Sequence, residues 1–335
     1  FAIDSKVKEW ARLTASAVIS RSDNDDASVN NGQGSGNNIF TAALAAPPLV
    51  APFDEDGNFS DVGIFPFSPV SINNPLAYAE RLDKTLTTKA LANMAVEFRL
   101  SENLKFKIIG GVEQEFSERN IYSPSILENV SPTGSADTRI NRNISLLNEN
   151  VLSYDKQIGE NDNLSAIAGF TVQTFQGKFN RQQSTDFSTD ALETNNLGSG
   201  ATTLPNISNV SEWTILSWLG RVNYNLQDKY LFTASVRADG SSRFGENNKW
   251  GIFPAGAFAW KISNEEILKN SKAISNMKLR IGYGETGSTA IAPYQSLNRL
   301  NQTRGSFGNT DVIGFAPDQA PNPDLKWETT AQLGV

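Results

Sequence analysis

Two residue types are missing from this chain of 335 residues: it has no cysteine and no histidine. Their absence removes disulfide bonds, thiolate and imidazole metal ligands, and any nucleophile that depends on a histidine base. An enzyme built from this sequence would have to work with carboxylates, lysine, arginine, tyrosine and hydroxyl groups. We therefore expect no cofactor and no catalytic or metal site.

Long hydrophobic runs and a basic stripe are also missing. The nearest candidate for a spanning helix, residues 39–53, is interrupted by Pro47, Pro48 and Pro52, and no run reaches the roughly 18 apolar residues that such a helix needs. The formal net charge is −7 with both signs interspersed, so nucleic-acid binding is not expected. A β-barrel remains open, because its strands carry only a weak alternating pattern.

Alternation of apolar and polar residues is what the sequence does contain. In residues 230–238 every second residue is apolar, from Tyr230 to Ala238, and Thr233, Ser235 and Arg237 between them are polar. This period predicts a strand with one apolar and one polar face. The alternation stops at residues 239–242, which predict a turn, and an aromatic-rich return strand begins near Trp250. The stretch is a predicted hairpin.

The same pattern predicts about ten strands in all. Long connections, at about 21–83, 118–139, 178–210 and 286–324, alternate with short turns, as in outer-membrane barrels. A short helix is predicted near 76–82, and a capping box at Ser263 and Glu266 predicts one or two further helical turns. The predicted strands are 6–20, 89–100, 104–117, 140–154, 164–172, 216–226, 230–238, one from 250, 278–283 and one from 327.

Four separated motifs make the sequence recognisable. They read RADGSSRFG (237–245), NNKWGIFP (247–254), MKLRIGYGETGS (277–288) and NPDLKWETT (322–330). Together they resemble the barrel of SusC-like (RagA/SusC-type) TonB-dependent transporters of Bacteroidetes. The resemblance marks fifteen hallmark residues, to which we assign a structural role with lumen or loop contacts: Arg237, Asp239, Gly240, Ser241, Ser242, Arg243, Phe244, Gly245, Trp250, Gly251, Pro254, Asn322, Pro323, Trp327 and Glu328.

The resemblance also implies an architecture and partners. It implies an antiparallel 22-stranded transmembrane β-barrel with an N-terminal plug, in the outer membrane among lipid and lipopolysaccharide. A SusD-like surface lipoprotein would cover its mouth, the TonB complex would act through the plug, and an oligosaccharide or peptide would be the cargo. Because both ends look cut, we expect residues 1–335 to be part of one barrel domain, with the plug and first strands before Phe1 and the last strands after Val335.

A membrane barrel and a soluble sandwich both alternate, so composition of the faces has to decide. The apolar faces are rich in alanine, glycine and aromatics, which favours contact with lipid chains over a packed core. Hydrocarbon is expected on the side of residues 92–98 and 232–236, and an aqueous pore on the other. An interfacial belt is predicted from aromatic residues near strand ends, namely Trp10, Trp218, Tyr224, Tyr230, Trp250, Phe253, Trp260 and Tyr283.

Candidate chemistry has a plain structural interpretation in each case. Arg237 and Asp239, with Arg243 across the turn, could contact substrate or a plug loop, but ion pairing that holds the hairpin is the favoured interpretation. Glu113 and Glu115 face one way on a strand, as glycosidase carboxylates could by accident. The acidic runs at 23–26 and 54–58 lack the closing glutamate of a calcium loop. The glycine pattern at 282–287 has no βαβ unit around it.

The leading hypothesis is a portion of an importer barrel, with two alternatives. A SusC-like barrel could instead serve as a structural or docking component of a surface complex. A soluble all-β carbohydrate-binding protein is the second alternative, and it requires the alternating apolar faces to pack on each other.

Overall fold

Long antiparallel strands make up most of the computed structural model, which describes residues 1–26, 39–64, 72–127, 133–268 and 274–335. Within these ranges, one α-helix, α1, spans Ile39–Ala45, and short 3-10 helices span Pro75–Glu80, Glu193–Asn195, Leu197–Ser199, Glu246–Asn248 and Ile262–Asn264. The strands are β1 Ala2–Lys8, β2 Ala11–Asp25, β3 Leu82–Arg99, β4 Leu104–Ser123, β5 Ser135–Gln157, β6 Asn163–Thr185, β7 Thr202–Thr203, β8 Ile207–Leu226, β9 Tyr230–Ser241, β10 Trp250–Lys261, β11 Lys278–Ser288, β12 Arg299–Phe307, β13 Thr310–Gln319 and β14 Glu328–Gly334.

The strands form one up-and-down sheet in chain order. The path runs β1-β2-β3-β4-β5-β6-β8-β9-β10-β11-β14, with β7 beside β6, while β12 and β13 form a separate hairpin. Every pairing is antiparallel. The sheet does not close on itself, since β1 and β14 lie at its two edges within the described residues. The predicted all-β antiparallel class is therefore confirmed, as an incomplete wall.

Several predicted boundaries are wrong. Residues 6–20 do not form one strand, because the chain turns at Glu9 and Trp10 between β1 and β2. The strands also continue well into the predicted loops at 118–139 and 178–210, and the predicted loop 286–324 contains the β12–β13 hairpin. In these extensions both faces carry polar residues and loop residues such as Phe187 cover Tyr122, so the sequence shows no apolar–polar alternation there. Parts of the predicted loops, 27–38, 65–71 and 128–132, lie outside the described residues.

One of the two helical predictions corresponds to a helix in the structure and the other does not. A 3-10 helix begins at Pro75, where the Asn74 side chain accepts a hydrogen bond from the backbone N–H of Leu76 at 3.0 Å. The capping box at Ser263 does not form, because only a 3-10 turn, Ile262–Asn264, lies there and no side chain caps it. Residues 269–273 of that connection lie outside the described residues. Helix α1 was not predicted.

A small hydrophobic core lies in the long connections rather than in the sheet. Its buried members come from the β2–β3 connection and from the segment after β4, and they are Ala42, Val62, Ile72, Ala77, Tyr78 and Leu127. Packing of these side chains ties two long loops together at one end of the sheet. That end is the one at which the four sequence motifs also meet.

Candidate functional site: the polar face of the sheet and its motif corner

Strand register sorts the side chains onto two faces. Ala92 lies opposite Ala17 and Val112, and following the pairs across the sheet places it on the same face as Phe232. This face is apolar and open: Met94 is 53% exposed and Val236 is 48% exposed. The soluble sandwich requires these side chains to be interleaved in a core, which their exposure contradicts.

The opposite face carries polar and charged residues that pair across strands. The Lys89 ammonium lies 2.6 Å from a Glu115 carboxylate oxygen, and the Thr87 and Ser117 hydroxyls are 3.1 Å apart. Since Glu115 is bound to a lysine on the next strand, it has a structural partner. A face of this kind is suited to a water-filled lumen.

The four motifs meet at one corner of the sheet, on its polar face at the end with the long loops. The Trp327 ring lies 4.9 Å from that of Phe244 and 5.4 Å from that of Phe253, between ring centroids. The Trp327 indole N–H donates a hydrogen bond of 2.9 Å to the Lys249 carbonyl. Phe244 and Phe253 are almost fully buried. Aromatic packing thus joins the β9–β10 hairpin to the segment before β14, and we name this cluster the motif corner.

Glycines in the motif corner are required by close approach. A Cβ on Gly245 would overlap the Pro323 carbonyl oxygen. The Gly245 N–H donates a hydrogen bond of 2.9 Å to the Leu325 carbonyl. A Cβ on Gly287 would overlap the Phe253 ring. Only glycine leaves room for these contacts, which explains why the motifs carry it at these positions.

The charged hallmark residues bind neighbours. The Arg237 Nε donates to Asp239 at 2.7 Å, and its Nη2 donates to the Ser217 hydroxyl at 3.0 Å. Asp239 and Ser217 are buried. The Arg243 guanidinium lies 4.6 Å above the Trp213 ring. This geometry favours the hairpin-holding interpretation, which stays a prediction for Arg237 and Asp239.

The remaining hallmark residues line the same hairpin and its neighbours. Strand β9 continues to Ser241, so the predicted turn at 239–242 is displaced to 242–249. Phe253 faces the polar side and is 6% exposed, so its predicted place in the aromatic belt is wrong. Four further hallmark residues lie in strands, with Gly240 opposite Trp250, Gly251 opposite Asp239, Pro254 opposite Val236 and Glu328 opposite Ser288. Two others donate backbone N–H hydrogen bonds: Ser242 to the Thr214 carbonyl and Asn322 to the Ser296 carbonyl.

At the short-turn end, one carboxylate collects three donors. Glu265 accepts hydrogen bonds from Lys229 at 2.9 Å, Tyr230 at 2.8 Å and the Trp260 indole at 3.0 Å. These bonds, with that from Lys229 the strongest, lower the pKa of Glu265 to about 2. The carboxylate fastens the β8–β9 turn to the end of β10, a role the capping-box interpretation missed.

Sequence reasoning also missed a charged group high on the polar face. Arg119, Arg139 and Arg181 lie there with Asp83 and Asp137. All but Asp83 fall inside segments predicted as polar loops, and Asp83 ends another. Their register could have been found only by extending the strands past the end of the alternating pattern.

No helix in the described ranges has the length and apolar character that crossing a membrane requires. Within those same ranges, no group of three or more acidic side chains is arranged to hold a metal ion.

Fold and face chemistry define a class: an up-and-down β-barrel wall with one apolar and one polar face. Residues 20–335 match the family described as TonB dependent receptor-like, beta-barrel. The chain belongs to this family, a family of receptors and transporters.

Known relatives agree with the assignment. TonB-dependent receptor P3 of Formosa agariphila is 33% identical over 91% of this chain and 30% of its own length. TonB-dependent receptor SusC of Bacteroides thetaiotaomicron is 32% identical over 78% of this chain and 26% of its own. The RagAB peptide transporter structure covers 99% of this chain and 37% of the solved chain, with a TM-score of 0.85 and 25% identity. The chain thus spans about 30% of the length of the curated relative P3.

Proposed function

We propose that this chain forms part of the wall and the extracellular loops of a TonB-dependent importer of oligomeric nutrients in the outer membrane. The observation that carries the proposal is the two-faced sheet, apolar and exposed on one side and polar on the other. Lipid requires every backbone group of a spanning sheet to be paired, so the open edges at β1 and β14 would pair with further strands of the complete barrel.

The family assignment supports the energy source. In the complete protein, a plug domain outside this chain would fill the lumen and connect it to the TonB complex. The wall described here would then supply lumen surface and loops, with no chemical step of its own. Membrane lipid and lipopolysaccharide would contact the apolar face.

The relatives and the resemblance of the motifs support a class of cargo and a partner that covers the barrel mouth. RagAB is described as a peptide transporter, which supports a peptide oligomer as one cargo class. Similarity to SusC-like barrels supports an oligosaccharide as the other class and a SusD-like lipoprotein as the partner over the long loops. The ordered loop core around Tyr78 and Leu127 would offer that partner a firm surface.

Uptake by living cells tests this proposal. Cells that carry the full-length gene should accumulate labelled oligopeptides or oligosaccharides, and deletion of either this gene or the TonB gene should stop the accumulation. The protein should fractionate with the outer membrane and require detergent for extraction. Uptake that persists without TonB would contradict the proposal.

A docking component of a surface complex is the second candidate. The exposed β12–β13 hairpin favours it, since Phe307 and Phe315 are 82% and 70% exposed and large exposed apolar side chains often mark contact surfaces. In that case the gene deletion would release partner proteins from the membrane but leave oligomer uptake unchanged.

A further inference from the structure

Three arginines stand directly opposite one another on the polar face. Arg119 on β4 pairs in register with Arg139 on β5, which pairs with Arg181 on β6. They share the face of Glu115, four residues earlier on β4. Like charges placed directly opposite on neighbouring strands destabilise a sheet. A row of three such residues therefore calls for anions close by.

Two carboxylates in the adjacent row meet part of that need. Arg119 donates from Nε and Nη2 to Asp83 at 2.7 and 2.8 Å. Arg139 and Arg181 share the single carboxylate of Asp137, each with its Nη2 at 2.7 Å. Three guanidinium groups thus face two carboxylates, which leaves one positive charge in surplus.

Charged groups beyond the row do not remove the surplus within the described ranges. There, Arg81 and Asp26 are the further charged groups beside the Asp83–Arg119 pair, and their opposite charges cancel. The surplus stands out in a protein whose formal net charge is −7.

The arginines are accessible although their carboxylates are covered. The side chains of Asp83 and Asp137 are 2% and 11% exposed, whereas those of Arg119, Arg139 and Arg181 are 35%, 32% and 28% exposed. Each arginine uses Nε and Nη2, and within the described part of the chain its Nη1 has no hydrogen-bond partner. Unused N–H groups on a guanidinium suit a further carboxylate.

The row lies above the membrane. Strand β4 begins at Leu104, and the distance along it to Arg119 corresponds to about 35 Å of height at roughly 3.3 Å per residue and a tilt near 45°. The apolar band of an outer-membrane barrel is only about 25 Å tall. The outward side of β4 is also polar at this height, as expected outside the apolar band. There the Asn120 amide donates a hydrogen bond of 2.8 Å to the Glu118 carboxylate. The row therefore faces the upper, extracellular part of the lumen.

We propose that Arg119, Arg139 and Arg181 form a subsite for a carboxylate group of the cargo, such as that of an acidic peptide or of a uronic-acid oligosaccharide. The inference rests on the proposed importer function. Incoming cargo would place its carboxylate against the free N–H edges and balance the surplus charge, so that anionic oligomers are held at the top of the lumen more tightly than neutral ones.

Paired probes test the subsite with purified full-length protein. Tetragalacturonate is compared with maltotetraose, and tetraglutamate with tetraglutamine, both peptides acetylated and amidated at their ends, by titration calorimetry at low salt. The variant is Arg139→Gln with Arg181→Gln. Its matched control is Arg142→Gln, which removes a charge from the same strand on the opposite face, where Arg142 lies over Phe116. A second variant, with both arginines changed to lysine, keeps the charge but loses the guanidinium fork.

The expected results are specific. At least one carboxylate probe should bind the wild type about tenfold or more tightly than its neutral counterpart, and the glutamine variant should lose that preference while Arg142→Gln keeps it. The lysine variant should keep part of it and confirm that folding is intact. The probe that binds distinguishes peptide from glycan cargo. Equal or undetectable binding of both members of both pairs, or an equal loss in Arg142→Gln, would overturn the subsite. If TonB-dependent uptake of neutral oligomers persists in that case, the importer function stands without it.

Discussion

Replacing Trp327 with alanine removes the residue that joins the motif corner. The ring makes two aromatic contacts, with Phe244 and Phe253, each contributing about 0.5–1.5 kcal/mol. Its indole N–H makes one hydrogen bond, to the Lys249 carbonyl, which contributes about 0.5–1.5 kcal/mol. The expected loss in free energy of unfolding for Trp327→Ala is therefore about 1.5–4.5 kcal/mol, which overlaps the roughly 3–5 kcal/mol typical of Phe or Trp truncation to alanine.

Urea unfolding of the full-length protein in lipid vesicles measures this loss. Trp327→Phe keeps a ring but not the indole N–H, so it should lose only about 1 kcal/mol. Phe307→Ala is the matched control, since Phe307 is an aromatic residue that is 82% exposed on the β12–β13 hairpin and lies outside the motif corner; it should stay within about 0.5 kcal/mol of the wild type. A free energy for Trp327→Ala within about 0.5 kcal/mol of the wild type would refute the structural role of the hallmark aromatics.

Three further predictions concern other parts of the wall, and unfolding in vesicles reports on each. Val236→Arg, near the middle of the apolar band, should cost about 2–4 kcal/mol while its lumen-facing neighbour Ser235→Arg should cost under about 1; equal costs would contradict the assignment of faces. The folded-state pKa of Glu265 is lowered to about 2, so its stabilising effect should be complete above its ordinary pKa and fade as pH falls towards 2. If wild type and Glu265→Gln already have equal free energies of unfolding at pH 4, the hydrogen bonds of Glu265 do not stabilise the fold. Gly245→Ala should destabilise by roughly 1–3 kcal/mol because its Cβ would overlap a carbonyl oxygen, whereas Gly305→Ala, with open space around it, should stay within about 0.5 kcal/mol.

The alternation of apolar and polar side chains predicted the middle of the strands well. Residues 92–98 and 232–236 alternate, as expected for strands with lipid on one side and water on the other, and the structure places the apolar residues of both stretches on one face. The resemblance of four motifs led to the family. What neither could supply was the contact between motifs that are distant in sequence, such as Trp327 against Phe244, since only the strand order brings them together.

The alternating pattern failed as a predictor where the two faces of a strand no longer differ in polarity. Strands β4, β5 and β6 continue past the stretch that alternates, and there Arg119, Arg139 and Arg181 appear in the sequence as loop residues. The charged row was missed for that physical reason. Phe253 was misplaced for another: its aromatic ring fits an interfacial belt by type, but its parity in β10 turns it inward onto Trp327.

Spin labels placed one at a time at residues 231–237 of the full-length protein in lipid vesicles test the division of faces most directly. Accessibility to dissolved oxygen reports lipid, and accessibility to a water-soluble nickel complex reports the lumen. Labels at Phe232, Ala234 and Val236 should favour oxygen, and those at Thr233, Ser235 and Arg237 should favour nickel. Nickel access at both sets, or at neither, would contradict a wall between hydrocarbon and water.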